Sequence, residues 1–151
     1  MRLKWRLHLD EDGRLSNEKG EPLASPKILA GSQPELDVQI WAIDSNGAFA
    51  KHAISGAAGS SAKLVIEKPK DFAASDALDR ASEYALTLDA NNGFKNTVDF
   101  SDAGLLAIMP QDTQKGVQTV ETFARVEVTL AGGEVLVSRF PVKIAEKYTT
   151  P

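Results

Sequence analysis

The chain has 151 residues, of which 42% are hydrophobic and 25% charged. That length supports one domain, able to bury about 68–70% of its unfolded surface without a disulfide or metal. It has no cysteine and a net charge of −4, so it offers no thiolate chemistry, no Cys-ligated zinc and no basic field for nucleic acid.

The first element is a strand. In Met1–Leu9, Leu3, Trp5, Leu7 and Leu9 share one parity while Arg2, Lys4, Arg6 and His8 share the other, the pattern of a half-buried strand. The basic parity reads as a solvated stripe. The first ten residues carry Arg, Lys and Asp among the apolar ones, so no signal peptide is expected. No apolar run approaches the roughly 20 residues that cross a bilayer, so no membrane partner is expected either. Asp10–Gly13 reads as a turn, and residues 14–35 as an irregular crossing segment broken by Pro22, Pro26, Pro34, Gly20 and Gly31.

Leu36–Ile43 is the second strong strand, with apolar residues on both parities. Asn46-Gly47 follows it, the pair that favours a two-residue type I′ hairpin, with a weak return strand over Ala48–Ile54. Ser55–Ser61 is a small-residue loop, and Ala62–Glu67 a short strand. Pro69–Ser82 is the one helix candidate: Phe72, Leu78 and Ala81 can share a face, with Asp71 or Ser75 as cap. Tyr84–Leu88 alternates as a strand, Asp89–Asp102 reads as loop, and the apolar run Gly104–Met109 reads as a strand ended by Pro110.

The strongest pattern closes the chain. Two alternating runs flank Ala131-Gly132-Gly133, with Ala124, Val126, Val128 and Leu130 in one and Leu136, Phe140, Val142 and Ile144 in the other. Both apolar sets are even-numbered. A two-residue loop would pair even with odd and turn one set to solvent. A three-residue loop pairs even with even and puts glycine third, where a left-handed residue is needed. Pro141 cannot donate to a ladder, so the last strand lies at an edge or has its odd-numbered donors facing outward there. With about seven to nine strands and frequent turns, the fold class is all-β. The expected form is an antiparallel β-sandwich, immunoglobulin-like or jelly-roll, with at most one short helix near 70–82. One domain over 1–145 and a short polar tail over 146–151 complete the expected organisation.

The residues nominate no catalytic, cofactor-binding or metal site. His8 and His52, the only histidines, share no ligand spacing with other residues. Asp10-Glu11-Asp12-Gly13 lacks the alternation of a calcium loop. Gly56–Lys63 lacks the Gly-Lys-Ser/Thr of a phosphate loop. Trp5 sits in an apolar stripe and reads as core. Trp41 lies on the opposite parity from Val38 and Ile40, which makes it the better candidate for an exposed contact, with Tyr84 or Tyr148 beside it.

Four segments carry a resemblance: Arg6-Leu-His-Leu-Asp10, Gly31-Ser-Gln-Pro-Glu-Leu-Asp-Val38, Tyr84-Ala-Leu-Thr-Leu-Asp89 and Ser138-Arg-Phe-Pro-Val-Lys-Ile144. Their order resembles small β-sandwich proteins of phage and prophage tails, above all the immunoglobulin-like N-terminal module of baseplate upper and fibre-anchoring proteins. The sequence departs from that pattern in carrying no long fibre or receptor-binding region after Ile144. The resemblance implies a non-enzymatic virion part, made without a signal peptide, that docks on other virion proteins, often as a homo-oligomeric trimer or ring. The alternative is a carbohydrate- or ligand-binding β-sandwich module, for which Trp41 with Tyr84 or Tyr148 would form a glycan platform.

Overall fold

The structure is a computed structural model that describes residues 2–8, 15–17, 19, 21–43, 46–47, 49–51, 61–69, 80–89, 93–109, 116–129, 133 and 135–148. In chain order the strands are β1 (Arg2–His8), β2 (Leu15–Ser16), β3 (Lys27–Leu29), β4 (Glu35–Ile43) and β5 (Phe49–Lys51). They continue with β6 (Ser61–Glu67), β7 (Arg80–Asp89), β8 (Gly93–Thr97), β9 (Gly116–Thr129) and β10 (Val135–Tyr148). A single turn of helix, α1 (Ala103–Ala107), lies between β8 and β9.

Nine strands follow one path, β2-β1-β4-β8-β7-β6-β9-β10-β3, and β5 pairs with β4. The all-β class is therefore as expected, but the sheet is mixed rather than antiparallel. β1 runs parallel to β4, and β3 parallel to β10. β1 and β4 are separated by a crossing segment, and β3 and β10 by most of the chain, connections that can return a strand in either direction, so period-two patterning is blind to their sense. β7 links the two halves: Arg80–Leu86 pair with β6, while Thr87–Asp89 pair with β8. The sheet curls into a half-barrel about this strand. Curling brings distant strands face to face, and Trp5 of β1 meets Phe140 of β10 edge-on at 5.4 Å.

The core is one contiguous cluster that includes Trp5, Leu7, Leu36, Val38, Leu64, Ile66, Phe94, Phe100, Val126, Phe140 and Ile144. Trp5 is core, as its parity implied. The closing hairpin pairs even with even, Leu136 opposite Val128 and Phe140 opposite Ala124. Gly133 carries φ +89, the left-handed conformation that a three-residue loop demands and that glycine adopts without strain. Pro141 also falls where expected. Lys143 N–H points outward to the Pro26 carbonyl at 3.0 Å, so odd-numbered donors face β3, and Pro141 sits before that short ladder begins.

The same geometry corrects the earlier hairpin. A two-residue Asn46-Gly47 turn would set Ile43 opposite Ala50, but Ile43 pairs with Phe49, and Gly47 has φ +80. Among the other elements, β2, β3 and β8 are too short for a period to show. Arg80–Ser82, expected at the end of a helix, belong to β7, whereas residues 70–79 lie outside the described residues. So do Asp10–Gly13, His52 and the small-residue loop before Ser61. The expected polar tail is partly ladder, since Glu146, Lys147 and Tyr148 pair with Gln118, Val117 and Gly116.

Gly104–Met109 is helical, not a strand. A short apolar run does not identify its own conformation, and the capping residue decides. Asp102 takes a hydrogen bond from Leu105 N–H at 3.1 Å and so caps α1. Gly104 lets the turn rest on β7, because a Cβ there would stand 2.2 Å from the Ala81 carbonyl oxygen.

Candidate functional site

Three side-chain groupings stand out, and each is assembled across strands. The first lies on the outer face of β6, β9 and β10. Lys63, Val65 and Glu67 on β6, Phe123, Arg125 and Glu127 on β9, and Val137 and Arg139 on β10 share the odd parity that points away from the core. Glu67 is its centre. Its carboxylate accepts Arg139 Nε–H at 2.9 Å and Arg139 Nη2–H at 3.0 Å, and pairs with Arg125 Nη1 at 3.0 Å. Arg125 and Arg139 are cross-strand partners, and like charges so placed repel. Glu67 between them relieves that repulsion. Burial opposes the Glu67 charge, but the two guanidiniums outweigh it and hold the carboxyl below its usual range. Arg125 also bonds Glu127 at 2.8 Å, and Lys63 and Arg80 each reach Glu83 at 2.7 Å.

Beside this charge system the hairpin is apolar and open. Phe123, Val135 and Val137 are 40%, 52% and 49% exposed. The Arg139 guanidinium lies 3.8 Å from the Phe123 ring centroid, a cation–π contact that steadies the ring. A hollow of about 240 Å³ opens next to it, lined by Ser25, Glu121, Thr122, Phe123, Pro141 and Val142.

The second grouping faces inward. Asp102 accepts hydrogen bonds from Ser82 Oγ and, at 2.5 Å, from Tyr84 OH, in addition to its capping bond. Burial again disfavours the carboxylate, yet these donors hold its pKa below the ordinary range. Burial and the neighbouring Asp102 charge push the Tyr84 phenol well above its ordinary 10.0. Its ring packs edge-on against Phe100 at 5.0 Å. These contacts tie α1 to β7 and spend the polar atoms of Tyr84 inside the fold.

The third grouping surrounds Trp41 on the outer face of β1 and β4. Its indole Nε1–H donates to Gln39 Oε1 at 3.1 Å, and the Arg6 guanidinium sits 4.1 Å from its ring centroid. Trp41 is half-buried. The expected contact residues are thus separated: Trp41 lies on an outer face, Tyr84 packs inward, and Tyr148 sits at the end of β10. Among the described residues there is no group of three or more His, Asp or Glu placed to hold a metal.

No protein-family model matches the chain, and comparison with curated proteins finds no match. Site assignment therefore rests on the geometry. The outer hairpin face carried one sequence signal: Phe123, Val135 and Val137 are odd-numbered in strands whose buried set is even. Glu67 carried none, because Arg125 and Arg139 stand 58 and 72 residues away.

Proposed function

We propose that this chain is a non-enzymatic docking domain of a phage particle, a tail or baseplate adaptor or fibre-anchoring part. It acts through protein–protein contacts in the virion, as a homo-oligomeric trimer or ring, with no nucleic-acid or membrane partner. The observation that carries the docking role is the set of open apolar side chains, Val135 and Val137 on one side and Phe123 on the other, that flank the Glu67–Arg125–Arg139 lock. Exposed apolar side chains on paired strands, set around paired charges, suit a protein partner. The virion setting comes from the four segments that resemble tail proteins. The immunoglobulin-like sandwich of that family belongs to the same proposal, with the two halves of the curled sheet standing for its two layers.

Light scattering across a concentration series tests this reading. The expected result is a discrete trimer or ring that Val137→Glu converts to monomer, because a carboxylate placed on the strip cannot be desolvated cheaply. A monomer at every concentration removes the self-assembling part of the proposal. An oligomer untouched by Val137→Glu moves the contact off the hairpin.

A further inference from the structure

The geometry points to a second site, a polar recess on the outer face of β1 and β4 that takes a small polyhydroxylated ligand such as one sugar ring. It lies on the half of the sheet away from the hairpin strip and stands independently of the docking role. The recess holds about 90 Å³ and is lined by Lys4, Trp5, Arg6, Asp37 and Gln39. Three unfilled polar groups meet here. Arg6 Nε is buried and has no hydrogen-bond partner among the described residues, an arrangement that costs free energy. Gln39 spends its amide oxygen on Trp41, and its amide nitrogen has no partner among the described residues. The same holds for the Asp37 carboxylate, although Asp37 lies opposite Lys4 in the ladder.

On the other side of β4, Gly93 of β8 pairs with Gln39, and a Cβ on it would stand 2.9 Å from the Val38 carbonyl oxygen, so glycine there lets β8 approach β4 closely.

The ligand class follows from the mixture of groups. A phosphate or sulfate would meet the Asp37 carboxylate, and a cation would meet Arg6 and Lys4. An apolar group would strand every donor and acceptor at once. A hydroxyl both donates and accepts, so neighbouring hydroxyls on one ring can give to Asp37 and receive from Arg6 Nε–H and the Gln39 amide together. Trp41 stands beside the recess, its indole N–H bonded to Gln39 and its ring faced by Arg6, so it reports on both groups.

Nuclear magnetic resonance titration of the full chain tests the site, with methyl glucoside, methyl galactoside, sodium phosphate and glycine as separate probes. The expected result is saturable shifts of the Arg6 Nε–H, Gln39 side-chain amide and Trp41 indole signals with at least one glycoside, and none with phosphate or glycine. Arg6→Lys keeps the charge but loses Nε–H, and Asp37→Asn keeps the shape but loses the charge. Each should weaken the glycoside about tenfold, while Val137→Glu on the hairpin leaves it unchanged. No shift at these groups up to about 50 mM glycoside, well past millimolar affinity, overturns the site. A response to phosphate or glycine alone overturns the ligand class.

Discussion

Two carboxylates organise opposite sides of this sheet, and they are stabilised by different chemistry. Glu67 on the outer face is neutralised by two arginines, one of them half in solvent. Asp102 on the inner side keeps its charge among neutral donors, two hydroxyls and one backbone N–H. The first arrangement compensates charge with charge, so its strength depends on screening and on both arginines staying in place. The second relies on short directional bonds to groups that the fold itself immobilises. One forms a rigid outer surface; the other holds a turn of helix against a strand.

The largest expected effect separates them at once. Asp102→Ala removes the cap of α1 and strands the Ser82 and Tyr84 hydroxyls, a loss of about 2–3 kcal/mol in urea unfolding. Glu67→Ala leaves Arg125 and Arg139 facing each other, but the exposed Arg139 can turn to water. We expect a loss of about 2 kcal/mol, below the cost of breaking a fully buried pair. That loss should shrink in about 1 M salt, where the screening length falls to about 3 Å, whereas the Asp102→Ala loss should not. Equal salt sensitivity in the two variants would break the comparison.

The smallest effect is the most specific. Both carboxylates have depressed folded-state pKa values, so each contributes stability that is present above its unfolded value and lost as pH falls through the folded one. The acid limb therefore begins below about pH 4 for both, near the unfolded values. Tyr84 has the opposite sign: its raised pKa contributes stability that is complete below pH 10 and declines above it. Arginine does not titrate in this range, so the alkaline limb belongs to the Asp102 site. Tyr84→Phe should cost about 1 kcal/mol at neutral pH and flatten the stability curve above pH 10. An alkaline limb that survives this substitution would assign it to another group.

Much of the fold was legible because it is local. Alternation marked β1, part of β7 and most of β9 and β10, and the matching parities of Val128 and Leu136 set the hairpin register through a loop a few residues long. The apolar run at Gly104 was misleading, since its conformation depends on Asp102 bonding two hydroxyls 18 and 20 residues earlier on another strand. The candidate sites were only partly legible: Trp41 was nominated by its parity, opposite to that of Val38 and Ile40, whereas Phe123, Val135 and Val137 were passed over although their odd numbers set them off from the buried even set. What makes them sites came from elsewhere in the chain. Sequence by itself determined the all-β class, the inward face of β1 and of the closing hairpin, and the closing turn, because these depend on period two and on neighbours within one hairpin. Only the tertiary structure decided that β1 and β4 run parallel, that the sheet curls until Trp5 meets Phe140, and that Glu67 sits between two arginines. Those outcomes depend on which distant strands share an edge, and no local pattern records that choice.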